Sequence, residues 1–286
     1  MKLSTSSNDF ISFSFSSPIQ QYKDPINGVT CDYRQGGPEE SEECVVIIPG
    51  IYDSTNSSYL VASSLIKAGL RVLIVSIPQY ETIQLFLTGF DLLTAYLKIS
   101  KIHLVGIGFG GFLSLFIDNF KSLCAQIESI VLISSYLETK LFGTPSGFLA
   151  SLTAKSDLID EILKKNTPKE LMDSVNFMVD EIKNLPSSLL SSRIKLRAKA
   201  QKAPLPKLDH HKVLIIQPTD WAFKFEYTAI PQKMIHDAKY VKIDMGGHHP
   251  HLANPDEISK LILEHISNLN LNANSAQPII DDNIDD

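Results

Sequence analysis

The sequence predicts an α/β fold: a mostly parallel central sheet with helices on both faces and a helical cap insertion. Three observations carry that prediction. Short runs rich in branched apolar residues, at 44–48, 71–77, 102–107, 127–136 and 212–218, read as strands buried on both faces. Segments with apolar residues at helical spacing separate them, the alternation expected of a parallel sheet. Between 137 and 210 the alternation stops and only helical patterns remain.

In chain order, residues 1–43 are rich in Ser and Gln and end in GGPEESEE. The alternation of Phe10, Ile11, Phe13 and Phe15 reads as an edge strand. CVVIIPG, closed by Pro49-Gly50, is the first buried strand. A helix follows, with Leu60, Ser64 and Ile66 toward its buried side and Gly69 as its stop. RVLIVSIP is the second strand. Phe86, Phe90, Leu93 and Leu97 then define a crossover helix over about 82–98. The run from Ile102 leads into the helical face Leu113, Phe116, Ile117 and Phe120, and IESIVLISSY is the next strand. Residues 44–136 and 211–267 form the core of this reading, and 137–210 form the cap. In the cap, Leu158, Ile162 and Leu163 mark one helix. Leu171, Val175, Met178, Val179 and Ile182 mark a second, and the basic stretch 191–201 a third. KVLIIQP and AKYVKID resume the sheet. Asn254 caps a final helix with Pro255 at its first position, Asp256 and Glu257 in its first turn, and Ile258, Leu261, Ile262 and Ile266 inward. Residues 268–286 read as a disordered acidic tail.

Composition narrows the function. The chain has 286 residues, 44% of them hydrophobic, and a net charge of −6 with no basic stripe, which argues against nucleic-acid binding. No leader peptide and no membrane span is expected. Cys31, Cys44 and Cys124 are widely spaced, form no metal pattern, and fit reduced thiols.

The chemistry concentrates at 106–111. Gly106-Ile107-Gly108-Phe109-Gly110, followed by Gly111, has the spacing of a nucleophile elbow, G-x-S-x-G, at a strand-to-helix turn. The flanking glycines let strand and helix approach closely, and the central residue takes a strained conformation that presents its side chain at the top of the sheet. That central residue is Gly108. The string also fits the dinucleotide loop G-x-G-x-x-G, through Gly106, Gly108 and Gly111. Such a loop follows the first strand of its unit, with an acidic residue ~20 positions on at a strand end. Here two strands precede it, and Glu128 starts a strand rather than ending one.

Asp220 follows a late strand, and His248 follows the last one within Gly-Gly-His-His-Pro-His-Leu. Elbow, acid, histidine is the triad order of one hydrolase fold. Asp220 has a second reading as a turn or capping residue. His249 and His251 compete with His248 for the inward position, and the Gly247-His248-x-Pro250 pattern favours His248. No further cluster at ligand spacing accompanies the three histidines, so no metal and no cofactor is expected. His210 and His211 sit in a polar segment and read as solvated.

These features resemble the α/β-hydrolase superfamily across about 44–267. Within it, HLVGIGFGGFLSL, SIVLISSYLETKLF, DSVNFMVDEIKNL and Met-Gly-Gly-x-x-Pro-x-Leu resemble a branch whose members keep the elbow serine and lack the triad histidine. This chain departs at both places. The resemblance implies a vestigial triad at Gly108, Asp220 and His248, and a vestigial oxyanion hole from the N–H groups of Ile51 and Phe109. Loss of a serine nucleophile lowers kcat by roughly 10⁶, and Ser114, on the helix after the elbow, does not replace it. The resemblance further implies a non-catalytic, cytosolic protein, peripheral or indirect on endosomal and trans-Golgi membranes. It would bind proteins, among them the cytoplasmic tail of a membrane receptor. The alternative is a small-molecule enzyme or receptor that uses the His248–Asp220 pair without a serine.

Overall fold

The computed structural model describes residues 3–140, 159, 168–220, 231–247 and 249–275. Eight strands form one sheet: β1 (Gln20–Lys23), β2 (Thr30–Gly36), β3 (Glu43–Ile48), β4 (Val72–Val75), β5 (Lys101–Ile107), β6 (Gln126–Ile133), β7 (Val213–Pro218) and β8 (Lys239–Ile243). Their order is β1-β2-β4-β3-β5-β6-β7-β8. The pairs β1–β2 and β2–β4 are antiparallel, and the remaining pairs are parallel.

The central strands are largely apolar because both faces are covered. Along β3, Cys44, Val46 and Ile48 pack into one core, and Val45 and Ile47 into the other. Between β3 and β4 lies α2 (Tyr59–Lys67), and between β4 and β5 lies α3 (Ile83–Tyr96). β4 pairs on one side of β3 and β5 on the other, so the order reverses at β3. The carboxyl ends of β3 and β5 therefore flank a topological switch point, where open α/β sheets bind ligands.

Several local readings change. Residues 8–16 form a helix, α1 (Asn8–Ser16), in place of an edge strand. Phe10 and Phe13 are inward and Ile11 and Phe15 exposed, a spacing of three that suits a helix pinned by its Ser7 cap. The antiparallel edge comes from β1 and β2 instead. On α2 the buried residues are Tyr59, Val61, Ala62 and Leu65, while Leu60, Ser64 and Ile66 are half-buried. Gly69 does stop that helix, with φ +86. After β5 comes α4 (Phe109–Asp118), which is buried on nearly every side rather than along one stripe. The final helix, α8 (Pro255–Ser275), is preceded by a single turn, α7 (Pro250–Ala253). Since α8 runs to 275, the segment 268–275 is helical and not disordered.

In the insertion, α5 (Met172–Asn184) and α6 (Ser187–Lys199) account for the second and third patterns, and the helix read at Leu158, Ile162 and Leu163 lies outside the described residues. Phe177 of α5 packs against Phe10 and Tyr59, with ring centroids 6.3 and 5.9 Å away. No helix among the described residues is long and apolar enough to cross a membrane.

Candidate functional site: a glycine elbow beside a buried Asp–His–His cluster

The turn after β5 has the elbow's backbone. Gly108 sits at φ +52, ψ −111, its N–H donates to the Ile133 carbonyl at 2.9 Å, and its own carbonyl accepts from the Phe112 N–H at 3.2 Å. The neighbouring glycines are fixed by space. A Cβ on Gly110 would stand 1.9 Å from the Ile48 carbonyl oxygen, one on Gly106 2.3 Å from the Gly111 Cα, and one on Gly111 1.8 Å from the Ser135 Oγ. Gly108 differs. A Cβ there would meet only the Ser134 carbonyl oxygen, at 3.9 Å. There is room for a side chain where none is present, and the conformation is one an L-residue adopts only under strain.

Ile51 is buried in the loop after β3, whose start leans on the elbow: the Cβ position of Gly110 also lies 2.6 Å from the Pro49 oxygen. Phe109 opens α4, and its ring stacks on Phe112 at 5.7 Å. Ser114 donates to the Gly110 carbonyl at 2.9 Å within its own helix, so its hydroxyl is engaged there.

Asp220 lies just past the end of β7. Its Oδ1 accepts from the N–H groups of Gly246, at 3.1 Å, and Gly247, at 2.9 Å. The carboxylate thus holds the loop that leads to 248. His248 itself lies outside the described residues. His211 is exposed and pairs with Asp209, while His210 is half-buried.

The two remaining histidines of the triplet are inward. The His251 side chain is 1% exposed and that of His249 13%. They are joined by one ligand-type residue from a distant part of the sequence: Asp53, buried in the loop after β3, faces both. Its Oδ1 is 3.7 Å from His249 Nδ1, and its Oδ2 is 4.0 Å from His251 Nε2. Oδ2 also accepts from the Gly50 N–H at 2.7 Å. Burial pushes both imidazoles down to about 4, the Asp53 charge opposing this at His251, so both are neutral at neutral pH.

Asp53 is held from the other side by α6. Arg193, 1% exposed, donates through Nε to the Ile77 carbonyl at 2.7 Å. Through Nη1 it donates to the Asp53 carbonyl at 2.7 Å and the Ile51 carbonyl at 3.2 Å. Burial lowers its pKa to about 10 against the pull of Asp53, so it stays charged. A second tie runs from α5: Glu181 accepts from Ser54 Oγ and, at 3.2 Å, from Asn56 Nδ2, and Asn56 Oδ1 accepts from Arg34 at 2.8 Å. The sequence reading missed Asp53 and Arg193. The one local signal was an H-x-H spacing at 249–251 and a single acid in the loop after the first parallel strand.

The sheet order, the strained turn after β5 and the acid and histidine loops after β7 and β8 together define an α/β-hydrolase fold. Solved structures agree. A carboxylesterase structure from Nitrososphaera gargenis matches with TM-score 0.72 at 14% identity, covering 88% of this chain and 100% of that one. An epoxide hydrolase from Vigna radiata matches with TM-score 0.69 at 13% identity, covering 89% and 99%. The relatives found by sequence are narrower in kind: the chain is similar to maspardin. It is 25% identical to the Danio rerio protein over 236 residues, 80% of this chain and 76% of that one. It is 23% identical to the Homo sapiens protein over 236 residues, 80% and 77%. No protein-family model matches.

Proposed function

We propose that this chain is a non-catalytic α/β-hydrolase-fold protein that works by binding other proteins, in the manner of its maspardin relatives. Gly108 carries the reading. It keeps the elbow's backbone and has room for a Cβ, yet offers no atom to attack a carbonyl. In this reading Gly108, Asp220 and His248 are a vestigial triad, and the Ile51 and Phe109 N–H groups a vestigial oxyanion hole. The insertion at 137–210 is the cap in this reading and the part that recognises the partner. The partner is the cytoplasmic tail of a membrane receptor, and the setting is cytosolic, on endosomal and trans-Golgi membranes through that partner.

The test begins with generic ester substrates. No turnover above a His248→Ala control is expected, and turnover that this substitution abolishes would overturn the non-catalytic reading. Affinity purification from cells should then recover membrane receptors or trafficking proteins. Flotation with bare liposomes should leave the chain in the soluble fraction, because attachment runs through the partner.

A second reading, proton transfer by a His248–Asp220 pair on a small molecule, draws support from the Asp220 carboxylate, which fixes the approach to 248. It differs from the first in predicting a bound ligand whose conversion follows the titration of His248.

A further inference from the structure

We propose that Asp53, His249 and His251 form a binding site for a divalent transition metal ion of the Zn²⁺ class, joining the loop after β3 to the loop after β8. Their ligand-type atoms, one from each residue, lie within 4.8 Å of one another. Two neutral imidazoles and a carboxylate are a donor set that Zn²⁺ takes, with a fourth position left for water.

The distances favour a bridging ion over direct contact. At 3.7 and 4.0 Å the carboxylate is beyond hydrogen-bond reach of either imidazole. Ligand atoms around a tetrahedral Zn²⁺ stand about 3.3 Å apart, from bonds of about 2.0–2.1 Å. The two acid–imidazole spacings, 3.7 and 4.0 Å, are about 0.4 and 0.7 Å wider, and side-chain rotation on ion binding would have to close that gap. Neither ring nitrogen of His251 has a hydrogen-bond partner among the described residues, although the side chain is 1% exposed. A buried polar atom left so is destabilising, and coordination through Nε2 removes that penalty at the atom facing Asp53.

The surroundings fit a metal ligand. The Gly50 N–H on Asp53 Oδ2 is an outer-shell bond that orients the carboxylate. Arg193 is the nearby fixed cation, but its Nε and Nη1 donate to the carbonyls of Ile77, Ile51 and Asp53, leaving the carboxylate oxygens to face the histidines. The site adds a function to the fold whether or not the elbow is silent, because none of its three residues belongs to the vestigial triad.

The experiment is equilibrium dialysis of the full chain against Zn²⁺, with elemental analysis, and Co²⁺ substitution read in the visible spectrum. The wild type should hold one Zn²⁺ per chain and show the strong d–d bands of four-coordinate Co²⁺. Changing an outer-shell partner costs roughly 10–100-fold in affinity, so Asp53→Asn and His251→Gln, which remove ligands, should each exceed that. Asp53→Asn keeps an acceptor for the Gly50 N–H, and its metal-free melting curve reports whether it folds. His211→Ala/His236→Ala removes two exposed histidines and should leave uptake unchanged. Uptake by the wild type no greater than by folded Asp53→Asn, or uptake lost in the exposed-histidine variant, overturns the proposal.

Discussion

The elbow at Gly108 and the cluster at Asp53, His249 and His251 both lie at the carboxyl edge of the sheet, and they are assembled in opposite ways. The elbow is local. Its shape comes from consecutive residues, and three of its four glycines are dictated by backbone or side-chain atoms less than 2.5 Å from where a Cβ would be. The cluster is nonlocal. It exists because the loops after the first and last parallel strands turn toward each other, and because a buried arginine from α6 holds one of them. The first keeps geometry without a reactive group, and the second gathers reactive groups without a pattern in the sequence.

The largest expected effect breaks the elbow. Gly110→Ala drives a methyl group into the Ile48 and Pro49 carbonyls. Backbone cannot yield as a side-chain end can, so stability in urea should fall by at least about 3 kcal/mol. Arg193→Ala breaks the support under the cluster. It strands three carbonyls of two loops, and a loss of about 3 kcal/mol is expected. Arg193→Lys should recover little of it, since an ammonium cannot reproduce the planar fork. Gly108→Ala sharpens the contrast within the elbow. Space is free there and only the φ of +52 resists, so the loss should be about 1–2 kcal/mol. A cost for Gly108→Ala equal to that of Gly110→Ala would show the space argument to be wrong.

The smallest effect concerns a third buried histidine. His265 has what His251 lacks, a carbonyl partner, with Nε2 3.1 Å from the Lys212 oxygen. Burial lowers its pKa in the folded state, helped by His103 and Lys239 and opposed by that carbonyl. The unfolded chain therefore binds the proton more readily, and stability from this group is full above about pH 6.5 and lost as pH falls below it. His265→Gln should flatten the fall in urea midpoint between neutral and mildly acidic pH, relative to wild type.

Much of the fold was legible because burial on two faces leaves a signature in composition. CVVII and RVLIV have no room for a polar side, and the glycines at 106, 110 and 111 announce a close approach. The N-terminal helix was misread because Phe10, Ile11, Phe13 and Phe15 are too few to separate a period of two from one of 3.6, and the Ser7 cap decided it. The end of α8 was missed because its last residues, NLNLNANS, alternate Asn with Leu or Ala and carry no stripe at helical spacing. At the site, Gly108 and the Asp220 loop could be read from spacing. Asp53 could not, because its meaning depends on which distant side chains it faces. Arg193 was hidden for the same reason, as a charged residue in a basic helix that reads as solvated until the carbonyls it reaches are known.

The arginine has one more consequence. One flat cation on α6 grips main-chain oxygens of residues 51, 53 and 77, and Glu181 on α5 anchors the next turn of the same loop. A protein that seizes these two helices would have a lever on the floor beneath them. Displacing α6 by a fraction of a turn would either break these bonds or carry the segment that holds Asp53 along with it.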